Sequence, residues 1–228
     1  ILSGLVGSEM CIRDRTETHR SPNPLAMRLG PLFATYGRIG RHGSFWAYAL
    51  PGALSYGAIF VFISGSSYAL IQVLGMATES YGIAYGVAVT GYLLGTLLCR
   101  RLLRRLGFGR TLNVGVVIGL VGGTLFVAAV ALGVEHWALV VACQFLVMGA
   151  HGVNFPCCQA GASAPFPQEA GAAAGLFGFA TMPVALAAGT AVGATYDGTL
   201  MPLALIALVT TVTLFAATLL LQRYRAAE

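Results

Sequence analysis

One histidine lies in the middle of a long apolar stretch and is the clearest candidate for chemistry. His151 falls within residues 137–163, and at about 100° per residue its helical neighbours are also polar or aromatic. This polar stripe consists of Gln144, His151, Phe155 and Gln159, with Asn154 at its edge. Because an imidazole gains or loses a proton near neutral pH, His151 could sense proton coupling or bind an anionic or hydroxylated compound. The alternative is a neutral ring that donates to a backbone carbonyl freed by Pro156.

A second polar stripe lies in residues 45–65 and just beyond. It consists of Tyr56, Phe60, Ser64 and Ser67. Polar groups in hydrocarbon face either a helix bundle or a water-filled cavity. Both stripes are therefore predicted to line a cavity. The alternative is that they join helices through interhelical hydrogen bonds.

The composition requires a membrane environment for these stripes. Of 228 residues, 57% are hydrophobic and only 9% are charged, whereas a soluble domain carries about 25% charged residues. Disordered chains, secreted disulfide scaffolds and soluble enzymes are thereby excluded. The five cysteines have no metal-ligand spacing, and no phosphate loop or nucleotide fingerprint appears. We therefore expect no metal site, no cofactor and no ATP-driven pump.

The apolar segments predict an all-α membrane protein with six spans, which divide into two three-helix repeats. The spans are residues 45–65, 81–100, 111–133, 137–163, 171–195 and 200–221. Residues 66–75 either extend the first span or form a short surface helix. Residues 1–15 are interpreted as a non-native lead-in, with a native amphipathic segment as the alternative. Residues 16–44 are a predicted cytoplasmic linker, with a short interfacial helix at 32–39, and residues 45–228 the membrane domain.

The basic residues predict the orientation of the spans. All 13 are arginines, and none lies in residues 46–99 or 111–222. Such confinement to short segments indicates topology rather than nucleic-acid binding. We expect a multi-pass protein of the bacterial inner membrane, in contact with lipid, with both termini cytoplasmic.

A cytoplasmic loop is predicted at residues 100–110, after the second span, and a glycine- and arginine-rich motif runs into it. Its marked residues are Gly95, Arg100, Arg101, Arg104, Arg105, Gly107 and Arg110. Arginines near a helix C-terminus and an anionic leaflet anchor the orientation of a span. The alternative role is a latch that gates a transport pathway.

This segment resembles the second copy of the glycine-arginine motif of the major facilitator superfamily. Residues 62–72, residues 164–167 and the pair Ala170-Gly171 are similar to its bicyclomycin/chloramphenicol-resistance branch. The resemblance implies the C-terminal six-helix half of a twelve-helix drug:proton antiporter, built from two inverted three-helix repeats. It also implies protons, a small amphipathic drug-like substrate and the missing N-terminal half as partners.

Two departures from the branch leave the substrate open. Cys157-Cys158-Gln159 follows Pro156 where the branch has asparagine and small residues, and Gln168-Glu169 replaces a basic pair. One alternative is a carrier of the same superfamily for a sugar, an amino acid or another metabolite. A more distant alternative is an intramembrane serine protease using Ser64 and His151.

Overall fold

The computed structural model describes residues 29–225, which form helices and turns without a strand. The helices are α1 (Leu29–Gly40), α2 (Gly43–Ser67), α3 (Thr78–Ala131), α4 (Trp137–Ser163), α5 (Ala170–Ala194) and α6 (Met201–Leu220). A π-helical turn, Tyr68–Val73, extends α2, and short 3-10 turns span Pro167–Glu169 and Gln222–Tyr224. The predicted lead-in, 1–15, and residues 16–28 of the linker lie outside the described residues.

Five helices in the described range are long and apolar enough to cross a membrane, and one of them contains two predicted spans. α3 has 54 residues, or about 80 Å at 1.5 Å per residue, which far exceeds a bilayer core of about 30 Å. Its one non-helical residue is Gly107, with φ 73° and ψ −178°. We call the pieces before and after it α3a (78–106) and α3b (108–131).

The prediction of a loop at residues 100–110 is therefore corrected. The helix runs through residues 100–106, and only Gly107 departs from helical geometry. The physical reason is that Leu102 and Leu103 pack against a core cluster while the arginines beside them stay exposed. An amphipathic segment of this kind is stable as helix outside the hydrocarbon.

Gly107 provides a test of this break. Its φ and ψ lie in a region that is nearly restricted to glycine. We expect Gly107→Ala to lower the free energy of unfolding by about 1–3 kcal/mol, measured as thermal stability in detergent. Gly109→Ala is the matched control, because Gly109 has an ordinary φ and its added Cβ would find only the Arg225 Nη1 atom, at 4.0 Å. Equal stability of the two variants would contradict the inference that the backbone at position 107 requires glycine.

Two helices continue through residues that can interrupt a helix. α2 continues past Ser64 and Gly65 and changes to π-helix at Tyr68, so the segment 66–75 extends the first span. α4 continues through Pro156 as an α-helix. The relation of the helices as two inverted repeats stays a prediction.

α3a and α4 approach each other through glycines. The buried face of α3a carries only small residues, namely Ala84, Ala88, Gly91, Gly95 and Cys99. A Cβ added at Gly95 would lie well inside contact distance of the Gly149 carbonyl oxygen, and one at Gly152 would meet the Tyr92 carbonyl. Because lipid does not drive helices together by hydrophobicity, this close backbone approach stabilises the pair.

The bundle has two ends of different character. The arginine end carries Gly107, the turn at 164–169 and the end of α6; the opposite end carries the turns at 74–77, 132–136 and 195–200. At the arginine end, Arg38 of α1 forms a salt bridge with Glu169, and Ile39 is fully buried. The last turn of α1 is thus fixed to the arginine end. At the opposite end, hydrogen bonds from Thr199 lower the pKa of the Asp197 carboxyl.

Candidate functional site

Six rings from four helices form a connected set of contacts, and we call them the aromatic cluster. They are Tyr56 and Phe60 on α2, Tyr92 on α3a, His151 and Phe155 on α4, and Phe177 on α5. The imidazole lies 5.0 Å from Phe155, 5.7 Å from Tyr92 and 5.9 Å from Tyr56, measured between ring centroids. Phe155 also contacts Tyr56 at 5.7 Å and Phe177 at 5.3 Å. Such packing forms a rigid apolar surface with a polar group at its centre.

His151 has a hydrogen-bond partner on another helix. Its Nδ1 lies 3.1 Å from both the carbonyl oxygen and the hydroxyl of Ser55. Because a carbonyl only accepts, Nδ1 donates, and in the neutral ring Nε2 then keeps the lone pair. The sequence-based alternative placed this bond on a carbonyl of α4 freed by Pro156, whereas the acceptor belongs to α2.

The predicted cavity residues on α2 lie along the accessible side of the aromatic cluster. Tyr56 and Phe60 are half-buried, and Ser64 and Ser67 are exposed further toward the opposite end. On α4, Gln159 is exposed on the arginine side of the cluster. The structure therefore brings Tyr56, Phe60 and His151 into contact and leaves the two serines and Gln159 at the borders.

Two predicted cavity residues are enclosed between helices instead. Gln144 is 1% exposed and Asn154 is fully buried. Neither amide has a hydrogen-bond partner among residues 29–225. The Asn154 side chain packs tightly against α3b. Its Oδ1 occupies space that a Cβ at position 115 would need. A buried polar group without a partner is costly, and glycine at 115 gives the amide its space.

Three members of the site escaped the sequence analysis. Tyr92 shares a helix face with Tyr81 and Tyr85, a pattern typical of packing, yet its ring stacks on His151 at an interplanar angle of 28°. Ser55 and Phe177 carried no signal, because a lone serine and a lone phenylalanine are ordinary in an apolar helix. Only the helix positions in three dimensions bring Ser55 to His151 and Phe177 to Phe155.

The residues of the basic segment separate into three roles. Gly95 packs α3a on α4, and Gly107 breaks α3. The arginines Arg100, Arg101, Arg104, Arg105 and Arg110 are all exposed. The segment is therefore part packing surface, part turn and part charged surface.

Arg225 links three helices at the arginine end and was not singled out from the sequence. Its guanidinium donates to the Thr218 carbonyl at 2.9 Å and to Asn113 Oδ1 at 3.3 Å. Its Cζ also lies 5.7 Å from the centroid of the Tyr48 ring on α2. These contacts, from the chain after α6 to α3b and α2, stabilise the arginine end as one unit.

The comparisons with known proteins agree with this architecture. A family model described as Major Facilitator Superfamily matches residues 1–190. The bicyclomycin resistance protein homolog of Haemophilus influenzae is 22% identical over 202 residues. That alignment covers 89% of this chain and 50% of the relative, so the chain spans about half the length of that protein. No solved structure matches the chain.

Proposed function

Because the chain belongs to the Major Facilitator Superfamily, a class of carriers rather than enzymes, we propose that it is one six-helix half of a drug-exporting secondary transporter. In this proposal it is the C-terminal half, and the carrier exchanges an amphipathic compound for protons by alternating access. The relative named for bicyclomycin resistance, of which the chain spans about half, supports both the substrate class and the missing partner.

The observation that carries the proposal is the aromatic cluster on an accessible side of the bundle. Ligand sites are mostly apolar, with a few placed polar groups. Tyr56, Phe60 and Phe155 are half-buried and offer ring surface, while His151 Nε2 offers a hydrogen-bond acceptor. A compound with an apolar body and a hydroxyl or amide N–H complements this surface.

The accessible polar residues also favour a second six-helix unit. Ser64, Ser67 and Gln159 are exposed on helices that cross the membrane. Polar groups facing hydrocarbon are costly, so a partner that encloses them would stabilise the half. The partner proposed is the N-terminal half of the same carrier.

We place the arginine end in the cytoplasm of a bacterial inner membrane. The arginines at positions 100–110 and 223–225 lie at one end, whereas the other end carries Glu79, Glu135 and Asp197. This asymmetry follows the positive-inside rule. Reporter fusions after residues 135 and 228 should then be external and cytoplasmic, respectively.

The protease alternative lacks its dyad in the described structure. The hydroxyl beside His151 belongs to Ser55, and Ser64 lies about 13 Å further along α2 at 1.5 Å per residue. The Nδ1 atom that faces Ser55 donates to the carbonyl and is therefore unsuited to act as a base toward the hydroxyl.

A transport assay with a matched pair of aromatic variants tests the proposal. We expect residues 16–228 alone to give no efflux, and the carrier completed with its N-terminal half to lower bicyclomycin accumulation until a proton uncoupler is added. In that carrier, Phe155→Ala should reduce efflux at least tenfold. Phe179→Ala is the control, because Phe179 is 72% exposed on α5 and outside the aromatic cluster.

Three results would oppose the proposal. Efflux by the lone chain would refute its assignment as a half. Uptake of a sugar or amino acid without drug efflux would favour the metabolite carrier. Equal efflux by the Phe155 and Phe179 variants would remove the aromatic cluster from the substrate path.

A further inference from the structure

Four arginines on two successive turns of α3a lack an acidic partner in the described chain. Arg100, Arg101, Arg104 and Arg105 are all exposed. In residues 29–225 the one salt bridge joins Arg38 to Glu169 and involves none of them. Like charges four residues apart repel each other on a helix. Anions from outside the described chain would therefore stabilise this segment.

The four arginines divide between two faces of the helix. Arg101 and Arg105 continue a stripe of exposed apolar side chains in steps of three, four and seven residues. Its apolar members are Ile83, Val87, Leu94 and Leu98, and Thr90 lies between Val87 and Leu94 on the same face. Arg100 and Arg104 continue the neighbouring stripe through Leu93 and Leu97, which lies closer to the Tyr92 face and so to the aromatic cluster.

The stripe that ends at Arg101 and Arg105 has the character of a lipid-facing surface. At the opposite end of the bundle, Ile83 and Val87 border a cavity of about 540 Å³ together with Trp137 and Val141 of α4. Tryptophan is enriched where a membrane helix meets the headgroups. From that level to Leu98, the stripe exposes apolar side chains and one hydroxyl, that of Thr90, which donates to the Val87 carbonyl of its own helix.

The two arginines also lie at the depth of lipid phosphates. The predicted span begins at Tyr81, and about 20 helical residues cross the hydrocarbon. Arg101 is therefore at the far boundary, and Arg105 is one turn beyond it. A guanidinium binds a phosphate through two parallel N–H donors, and an adjacent pair surrounds one phosphate with four.

We propose that Arg101 and Arg105 bind the phosphodiester of an anionic phospholipid, whose acyl chains lie against Leu94 and Leu98. Charge complementarity selects the headgroup, and the apolar stripe selects a ligand with a hydrocarbon tail. The site is separate from the aromatic cluster, so it stands whether or not the carrier exports drugs.

Native mass spectrometry of the full chain in neutral detergent tests the site, with dioctanoyl phosphatidylglycerol as the probe. We expect R101Q/R105Q to weaken binding about twenty-fivefold, since each arginine near an anionic group contributes about fivefold. R100Q/R104Q is the matched control, because it removes the same charge from the neighbouring stripe and should retain affinity. R101K/R105K should bind with an intermediate affinity. The helix content measured by circular dichroism should be the same in all three double variants.

Each other outcome would overturn the proposal. Equal weakening by the two glutamine pairs would indicate only diffuse attraction to net charge. Equal binding of dioctanoyl phosphatidylcholine would remove the anion from recognition, and displacement by glycerol 3-phosphate at the same concentration would indicate a soluble-anion site. Loss of phosphatidylglycerol binding when the N-terminal half is added would assign the surface to a protein interface.

Discussion

Gly95→Ala is expected to destabilise the bundle by about 2 kcal/mol, although alanine forms a better helix than glycine. The added methyl group would overlap the Gly149 carbonyl oxygen, which is backbone and has no rotamer by which to move. Overpacking of this kind costs about 1–3 kcal/mol or more, against a gain of about 1 kcal/mol in helix propensity. The measurement is thermal unfolding in detergent, followed by size-exclusion chromatography.

Gly86→Ala is the matched control for this prediction, because Gly86 lies on the exposed face of the same helix. A Cβ there would meet nothing within 4 Å. We expect this variant to be as stable as the wild type or more stable by up to about 1 kcal/mol. If both alanines shift the midpoint in the same direction, direct backbone contact between α3a and α4 is wrong.

His151→Ala is expected to cost about 3 kcal/mol and to abolish transport by the completed carrier. The change removes a buried ring that contacts Tyr92, Phe155 and Tyr56, together with the bond to Ser55. His151→Asn should recover about 1 kcal/mol, because its amide nitrogen occupies nearly the place of Nδ1 and donates to the same carbonyl. His151→Gln places its nitrogen near Nε2 and should recover less.

The pH profile of transport separates function from folding in this series. If the imidazole takes part in proton coupling or substrate binding, the folded Asn variant should transport slowly and with an altered pH dependence. Normal rates and an unchanged profile in the Asn variant would leave His151 a structural role only. A Gln variant more stable than the Asn variant would show that Nδ1 is not the atom that holds the ring.

Sequence periodicity predicted which residues share a helix face, but not how the faces turn toward each other. Tyr56, Phe60 and His151 were expected on cavity-lining stripes and do meet in the aromatic cluster. Gln144 shares the stripe of His151, yet it is enclosed. Periodicity fixes the angle around one helix axis, whereas enclosure depends on how many neighbours surround the helix at that height, and α4 is packed against α2, α3 and α5.

The break in α3 shows a different limit of sequence reasoning. The arginines of residues 100–110 indicated a loop between two spans, because charge is unfavourable in hydrocarbon. The leucines between them keep helical spacing, and Leu102 and Leu103 pack on a core cluster. Hydropathy and charge therefore marked the segment between two predicted spans, but they placed the end of the helix too early.

The glycine contact between α3a and α4 has a mechanical consequence. Packed helices slide past each other by letting side chains change rotamer, and a contact made by backbone atoms has no such freedom. The helices α3a and α4 therefore form a rigid pair, held by backbone contacts at Tyr92, Gly95, Gly149 and Gly152. Contacts between α2 and α5 use side chains instead, such as the Phe177 ring against Gly52 and Val184 against Gly57. Shear within this bundle is thus expected where helices meet through side chains, as between α2 and α5, where the rings of the aromatic cluster can report it.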